Sequence, residues 1–126
     1  MSGSPTAPLA EQVAATEEFL SRAAPALLAF RRDMHAHPEL SRSETRATAN
    51  IVRALSEAGL APVVLPGGTG LLCDVGAGPA VVALRADIDA LPIEDKKAAA
   101  PYRSTVAGVC HACGHDVHTA GLLGAG

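Results

Sequence analysis

The chain has 126 residues, 48% of them apolar and 18% charged, which is the balance of a globular domain rather than of a disordered segment. Its net charge of −3 is mild, and its eight arginines are scattered between Arg22 and Arg103. No basic face is concentrated enough for a phosphate backbone, so no nucleic-acid partner is expected. No apolar run approaches the ~20 residues of a membrane-spanning helix, and no membrane partner is expected either.

Residues 1–8, rich in Ser, Pro and small side chains, read as a disordered tail, and residues 9–126 as one domain. The first residues lack the basic and apolar regions of a secretion signal. Cysteines number three, Cys73, Cys110 and Cys113, an odd count that argues against a disulfide framework and for a reducing compartment, the cytoplasm. With Phe19, Phe30 and Tyr102 as the whole aromatic set, the core must be built from Ala, Val and Leu and will be thin.

From Leu9 to Met34, apolar residues at helical spacing predict a long helix that Pro25 breaks or bends. His35-Ala-His37-Pro38-Glu39 ends it, and His35 suits a structural place at the helix C-terminus. A second helix is predicted over Ser43 to Ala58, capped by Ser41 or Ser43 and stopped by Gly59. Ala47, Ile51, Ala54 and Leu55 form its buried stripe. Three short apolar runs beginning at Pro62, Gly70 and Pro79 then read as strands, the third as a central strand covered on both faces. Glu94-Asp95-Lys96-Lys97 reads as a solvated turn. A last helix begins near Asp116, which is a candidate cap. Helices, strands and a further helix in this order predict an α/β sandwich.

The chemistry concentrates in His111-Ala-Cys113-Gly-His115-Asp116-Val-His118. Three imidazoles, a thiol and a carboxylate within eight residues are the donors a divalent cation needs. Gly114 lets the backbone bend so that Cys113 and His115 could face one ion. His115 and His118, three apart, would share a helix face. Arg85-Ala-Asp87-Ile-Asp89-Ala-Leu-Pro92 follows the third apolar run. Its two carboxylates, two residues apart, point the same way on an extended segment and repel unless Arg85, a metal or a histidine compensates. One of them could accept the spare N–H of a metal-bound histidine. Capping of the turn before Pro92 would serve as well.

Three stretches, Arg31 to Leu40, Leu84 to Ile93 and Pro101 to Ala120, resemble in order and spacing the amidohydrolase group of the aminoacylase and carboxypeptidase metallopeptidases. That group includes hippurate hydrolases and plant auxin-conjugate hydrolases. The resemblance implies the N-terminal part of an α/β/α sandwich catalytic domain, hydrolysis of N-acyl amino acids or related amides and peptides, and one or two divalent metals (Zn, Mn, Co or Ni). It assigns Cys113 and His115 as metal ligands and Asp89 as the supporting acidic residue of the catalytic site. Asp87, His111, Asp116 and His118 match motif positions and are candidates for contacts behind the ligands. Members of this group are often homo-oligomers.

The same resemblance implies parts not found here: a pair of adjacent glutamates, further histidine ligands and a lid or dimerisation domain. The expectation is therefore an incomplete catalytic domain, inactive alone, marginally stable and exposing apolar surface. Cys110 stands where the group commonly has Met. A non-catalytic metal-binding or interaction module is the alternative. A structural zinc domain is weaker, because Cys110-x-x-Cys113 has no second cysteine pair.

Overall fold

The computed structural model describes residues 7–79 and 81–126. Most of the expected tail, residues 1–6, and Ala80 of the third apolar run lie outside the described residues. Helix α1 (Leu9–Ala36) runs through Pro25 without interruption, which corrects the predicted break. Proline removes the N–H that the Ser21 carbonyl would accept, but the alanines and leucines around it favour the helix and the following turns are packed. Burial is confined to the end of α1, where Met34 and His35 are enclosed. Val13, Phe19 and Leu20 face solvent.

Helix α2 (Thr45–Glu57) is close to its predicted span, but neither serine caps it. The cap comes from Glu39, whose carboxylate accepts the N–H of Arg46 at 2.9 Å and of Ala47 at 2.7 Å. A carboxylate six to eight residues upstream thus meets the free amides and the positive end of the helix. The stop at Gly59 is as predicted: its φ of 83° is left-handed. Gly59 N–H donates to the Ser56 carbonyl and Leu60 N–H to that of Leu55, each at 3.0 Å, the paired bonds of a glycine-terminated helix. Ala47, Thr48 and Ile51 are its buried face.

Strands β1 (Val63–Val64) and β2 (Leu71–Leu72) pair antiparallel, Val63 opposite Leu72. The predicted third strand does not form. Val81, Val82 and Leu84 are 88%, 78% and 66% exposed, and no ladder partner lies beside them among the described residues. An apolar run supplies only the side chains of a strand; the hydrogen bonds must come from a neighbour.

The segment after that run is held at two points. Ala90 N–H donates to the Glu39 carbonyl at 2.7 Å, and Leu91 and Cys110 exchange both N–H···O bonds at 3.0 Å. Helix α3 (His115–Ala125) packs chiefly on α1. The core that results is small, as the composition predicts: Met34, Ala47, Ile51, Ala90, Cys110 and Ala120. The chain is thus an α/β fold of three helices and one two-stranded antiparallel sheet among the described residues.

Candidate metal centre

The loop from Cys110 reaches α3 through Gly114, whose φ of 86° is left-handed and open to no side-chain carbon without strain. This bend turns Cys113 and His115 toward Asp89. His115 Nδ1 lies 2.9 Å from Asp89 Oδ1 and 3.0 Å from the Asp89 carbonyl, while Cys113 Sγ lies 3.8 Å from that same carbonyl. The buried Thr119 hydroxyl, 2.8 Å from the His115 carbonyl and 3.2 Å from that of Asp87, ties the first turn of α3 to the acidic segment.

Both neighbours of His115 Nδ1 are acceptors, so that nitrogen donates, and in the neutral ring Nε2 then keeps its lone pair. Asp87 Oδ2 lies 4.0 Å from Nε2. The two carboxylates therefore flank one imidazole, as their spacing predicts. Arg85 Nη2 meets Asp87 Oδ1 at 2.6 Å, which relieves the repulsion between them together with His115.

The other candidates are placed differently. His118 is exposed, its ring centroid 6.1 Å from that of His115. His111 is buried, burial holds its pKa below the usual histidine range, and its Nδ1 has no hydrogen-bond partner among the described residues. Asp116 does not cap α3; Gly114 occupies that position. Asp116 is fully buried and turned toward α1, with Oδ2 2.8 Å from His35 Nδ1 and 2.8 Å from Arg31 Nε. A carboxylate taken out of water is held where cations and donors meet it, and here those are on α1 rather than on its own backbone.

One residue of this neighbourhood escapes sequence reasoning, and a second, His35, keeps its expected structural place with partners the sequence does not show. Asp95, in the segment read as a solvated turn, is buried and accepts the N–H of Lys97 at 3.0 Å and of Ser104 at 2.9 Å. Those backbone bonds hold its pKa down from 3.8 to about 2. His35 is 1% exposed, and its Nε2 lies 3.0 Å from Lys97 Nζ. An open cavity of about 610 Å³ is lined by Arg31, His35, Lys97, Cys110, His111 and Cys113.

A thiol and an imidazole that lean on one residue, with the imidazole's outer nitrogen unprotonated, fit a divalent ion in kind. In number they fall short. No group of three His, Cys, Asp or Glu side chains placed to hold a metal ion is found among the described residues.

A helical chain with a small sheet and a Cys/His/carboxylate cluster at a helix start defines an α/β fold with a candidate site at the start of α3. Comparison with known proteins then specifies the family. Residues 83–126 match the model of peptidase family M20/M25/M40. Over 100 residues the chain is 54% identical to a protein of Rhodococcus jostii that carries the name of a glutamate–cysteine ligase, covering 79% of this chain and 12% of that one. It is 51% identical over 104 residues to the N-acetyl-L-cysteine deacetylase of Bacillus subtilis, covering 79% of this chain and 24% of the deacetylase. The crystal structure of the Bacillus subtilis YXEP protein, a dinuclear metal binding peptidase from the M20 family, superposes with a TM-score of 0.72 at 42% identity, over 85% of this chain and 29% of that one. Residues 83–126 thus match the M20/M25/M40 peptidase family, and most of the chain is similar to part of a longer M20 peptidase. It spans 12% and 24% of the length of these two curated relatives.

Proposed function

We propose that this chain forms one half of the metal centre of an amidohydrolase acting on N-acyl amino acids or related small amides and peptides. The observation that carries the reading is the convergence of Cys113 Sγ and His115 Nδ1 on Asp89. Asp89 fixes the tautomer of His115 and leaves Nε2 free to bind an ion, the arrangement a hydrolytic metal requires of the carboxylate behind its histidine. Zn, Mn, Co or Ni would suit a mixed thiolate and imidazole pair. Such an ion supplies Lewis acidity toward an amide carbonyl. The chain's own residues hold it and set its position, with Asp87 close enough to His115 to add a carboxylate. A metal site of two ions, as in the Bacillus subtilis peptidase, would need further ligands. The odd number of cysteines, two of them beside histidines, is the ground for proposing a reducing compartment, the cytoplasm.

One observation favours a second reading, a metal-binding module without turnover: no group of three side chains placed to hold a metal ion is found among the described residues. A single experiment separates the two. The purified chain is titrated with Co²⁺ and Zn²⁺ beside the Cys113→Ala/His115→Ala variant, and the same samples are assayed for release of amino acid from an N-acetyl amino acid. Binding lost in the variant, with no turnover by either, supports the half-site. Turnover by the wild-type chain would show that the two ligands suffice or that a second copy completes the site. A folded wild-type chain that binds neither ion refutes the metal centre.

A further inference from the structure

We propose that His35 is a positioning residue for the Cys113–His115 pair, acting through Asp116; the proposal rests on the metal-centre reading above. His115 and Asp116 are consecutive in the first turn of α3 but serve different sides. His115 turns to Asp89, and Asp116 turns into the interface with α1, where its exposure is 0%. A buried carboxylate is stable only where donors and cations meet it. His35 Nδ1, hydrogen-bonded to Asp116 Oδ2 at 2.8 Å, and the Arg31 guanidinium, paired by charge with the same oxygen at 2.8 Å, are those groups, so they set where the first turn of α3 can lie. The orientation of His115 follows from that turn.

The chemistry around His35 makes its part directional. Lys97 Nζ, 3.0 Å from His35 Nε2, can only donate, so Nε2 must accept. The proton of the neutral ring then sits on Nδ1, pointing at Asp116. Other groups surround the ring. Asp95 Oδ2 lies 3.5 Å from Nε2, beyond the lysine. Tyr102 meets the imidazole edge-on at 5.6 Å, and the His111 ring lies 6.4 Å away. Arg31 and Arg32 stand over the face of Tyr102 at 5.1 and 5.0 Å, which steadies the guanidinium that shares Asp116. The segment Glu94–Lys97 thus orients His35, His35 orients Asp116, and Asp116 anchors the turn that presents His115.

Two near-isosteric variants test this. In His35→Asn the amide nitrogen can stand where Nδ1 stands and donate to Asp116. In His35→Gln the amide reaches the place of Nε2 and leaves Asp116 without its donor. Ile51→Ala, which opens the core at α2 away from the site, is the control for lost stability alone. Each labelled chain is read by long-range ¹H–¹⁵N spectra of the histidine rings, which report the tautomer of His115 without any metal, and by Co²⁺ titration. In His35→Gln, His115 is expected to lose its single Nδ1–H tautomer and Co²⁺ affinity to fall about 10- to 100-fold, the usual effect of removing support behind a metal ligand. His35→Asn should restore both, and Ile51→Ala should lower the melting temperature while leaving both unchanged. The proposal is overturned if His35→Gln keeps the wild-type His115 tautomer, or if Ile51→Ala disturbs it equally. Failure of the wild-type chain to bind Co²⁺ would sink the metal-centre reading instead, and the tautomer comparison would still decide the role of His35.

Discussion

Glu39 offers the most direct test of how this chain is held together, because its side chain caps α2 while its backbone carbonyl holds Ala90. Replacing it with alanine leaves the N–H groups of Arg46 and Ala47 and the Thr45 hydroxyl without their acceptor. Loss of a helix cap costs about 1–2 kcal/mol. Loss of a negative charge at a helix N-terminus adds about 0.3–1 kcal/mol. The Arg46 amide is exposed and can rehydrate, whereas the Ala47 amide is part-buried, so the sum should fall near 2 kcal/mol. Glu39→Gln keeps one acceptor oxygen and no charge, and should cost about half as much. The backbone bond from Ala90 N–H to the Glu39 carbonyl is available in both variants, so the difference isolates the carboxylate. Urea unfolding followed by far-UV circular dichroism measures both changes. A Glu39→Ala chain within about 0.5 kcal/mol of wild type, the range of an ordinary surface substitution, would refute the capping argument.

Two further predictions concern pH and packing. The carboxyl of Asp95 is held down from 3.8 to about 2 by the N–H groups of Ser104 and Lys97, so its contribution to stability is complete above pH 3.8 and disappears as the pH falls through about 2. Asp95→Asn should therefore lose less stability than wild type between those two values, a difference that urea midpoints across the acid range would reveal. In α3, a methyl added at Gly121 meets nothing within 4 Å, while one at Gly124 meets Leu27 Cδ1 at 2.9 Å. Gly121→Ala should stabilise the chain by up to about 1 kcal/mol through helix propensity. Gly124→Ala should gain less, because Leu27 must move; equal melting temperatures for the two would count against close α1–α3 packing.

What was legible in the sequence is what short-range geometry encodes. The span of α2, its stop at Gly59 and its buried Ala47 and Ile51 follow from spacing, from a residue that accepts a positive φ, and from helical periodicity. Asp87 and Asp89 face one histidine because alternate side chains on extended backbone share a side. Gly114 turns the chain where the motif needs a turn. Each of these depends on residues within a few positions of one another.

The rest depends on which distant surfaces meet, and only the tertiary structure decides that. Pro25 sits inside a continuous helix because neighbouring turns outweigh one missing hydrogen bond. Among the described residues, Val81, Val82 and Leu84 join no strand because no neighbour supplies them with ladder hydrogen bonds, and such a neighbour cannot be read from the run itself. Asp116, a plausible local cap by its position, is claimed instead by His35, 81 residues away. Asp95 looks like part of a charged turn, and its buried state comes from backbone amides that the fold brings to it. A charge near a helix end has several satisfactory partners in isolation. Desolvation makes the choice, because a buried carboxylate must stay with whatever donors the packing has enclosed beside it.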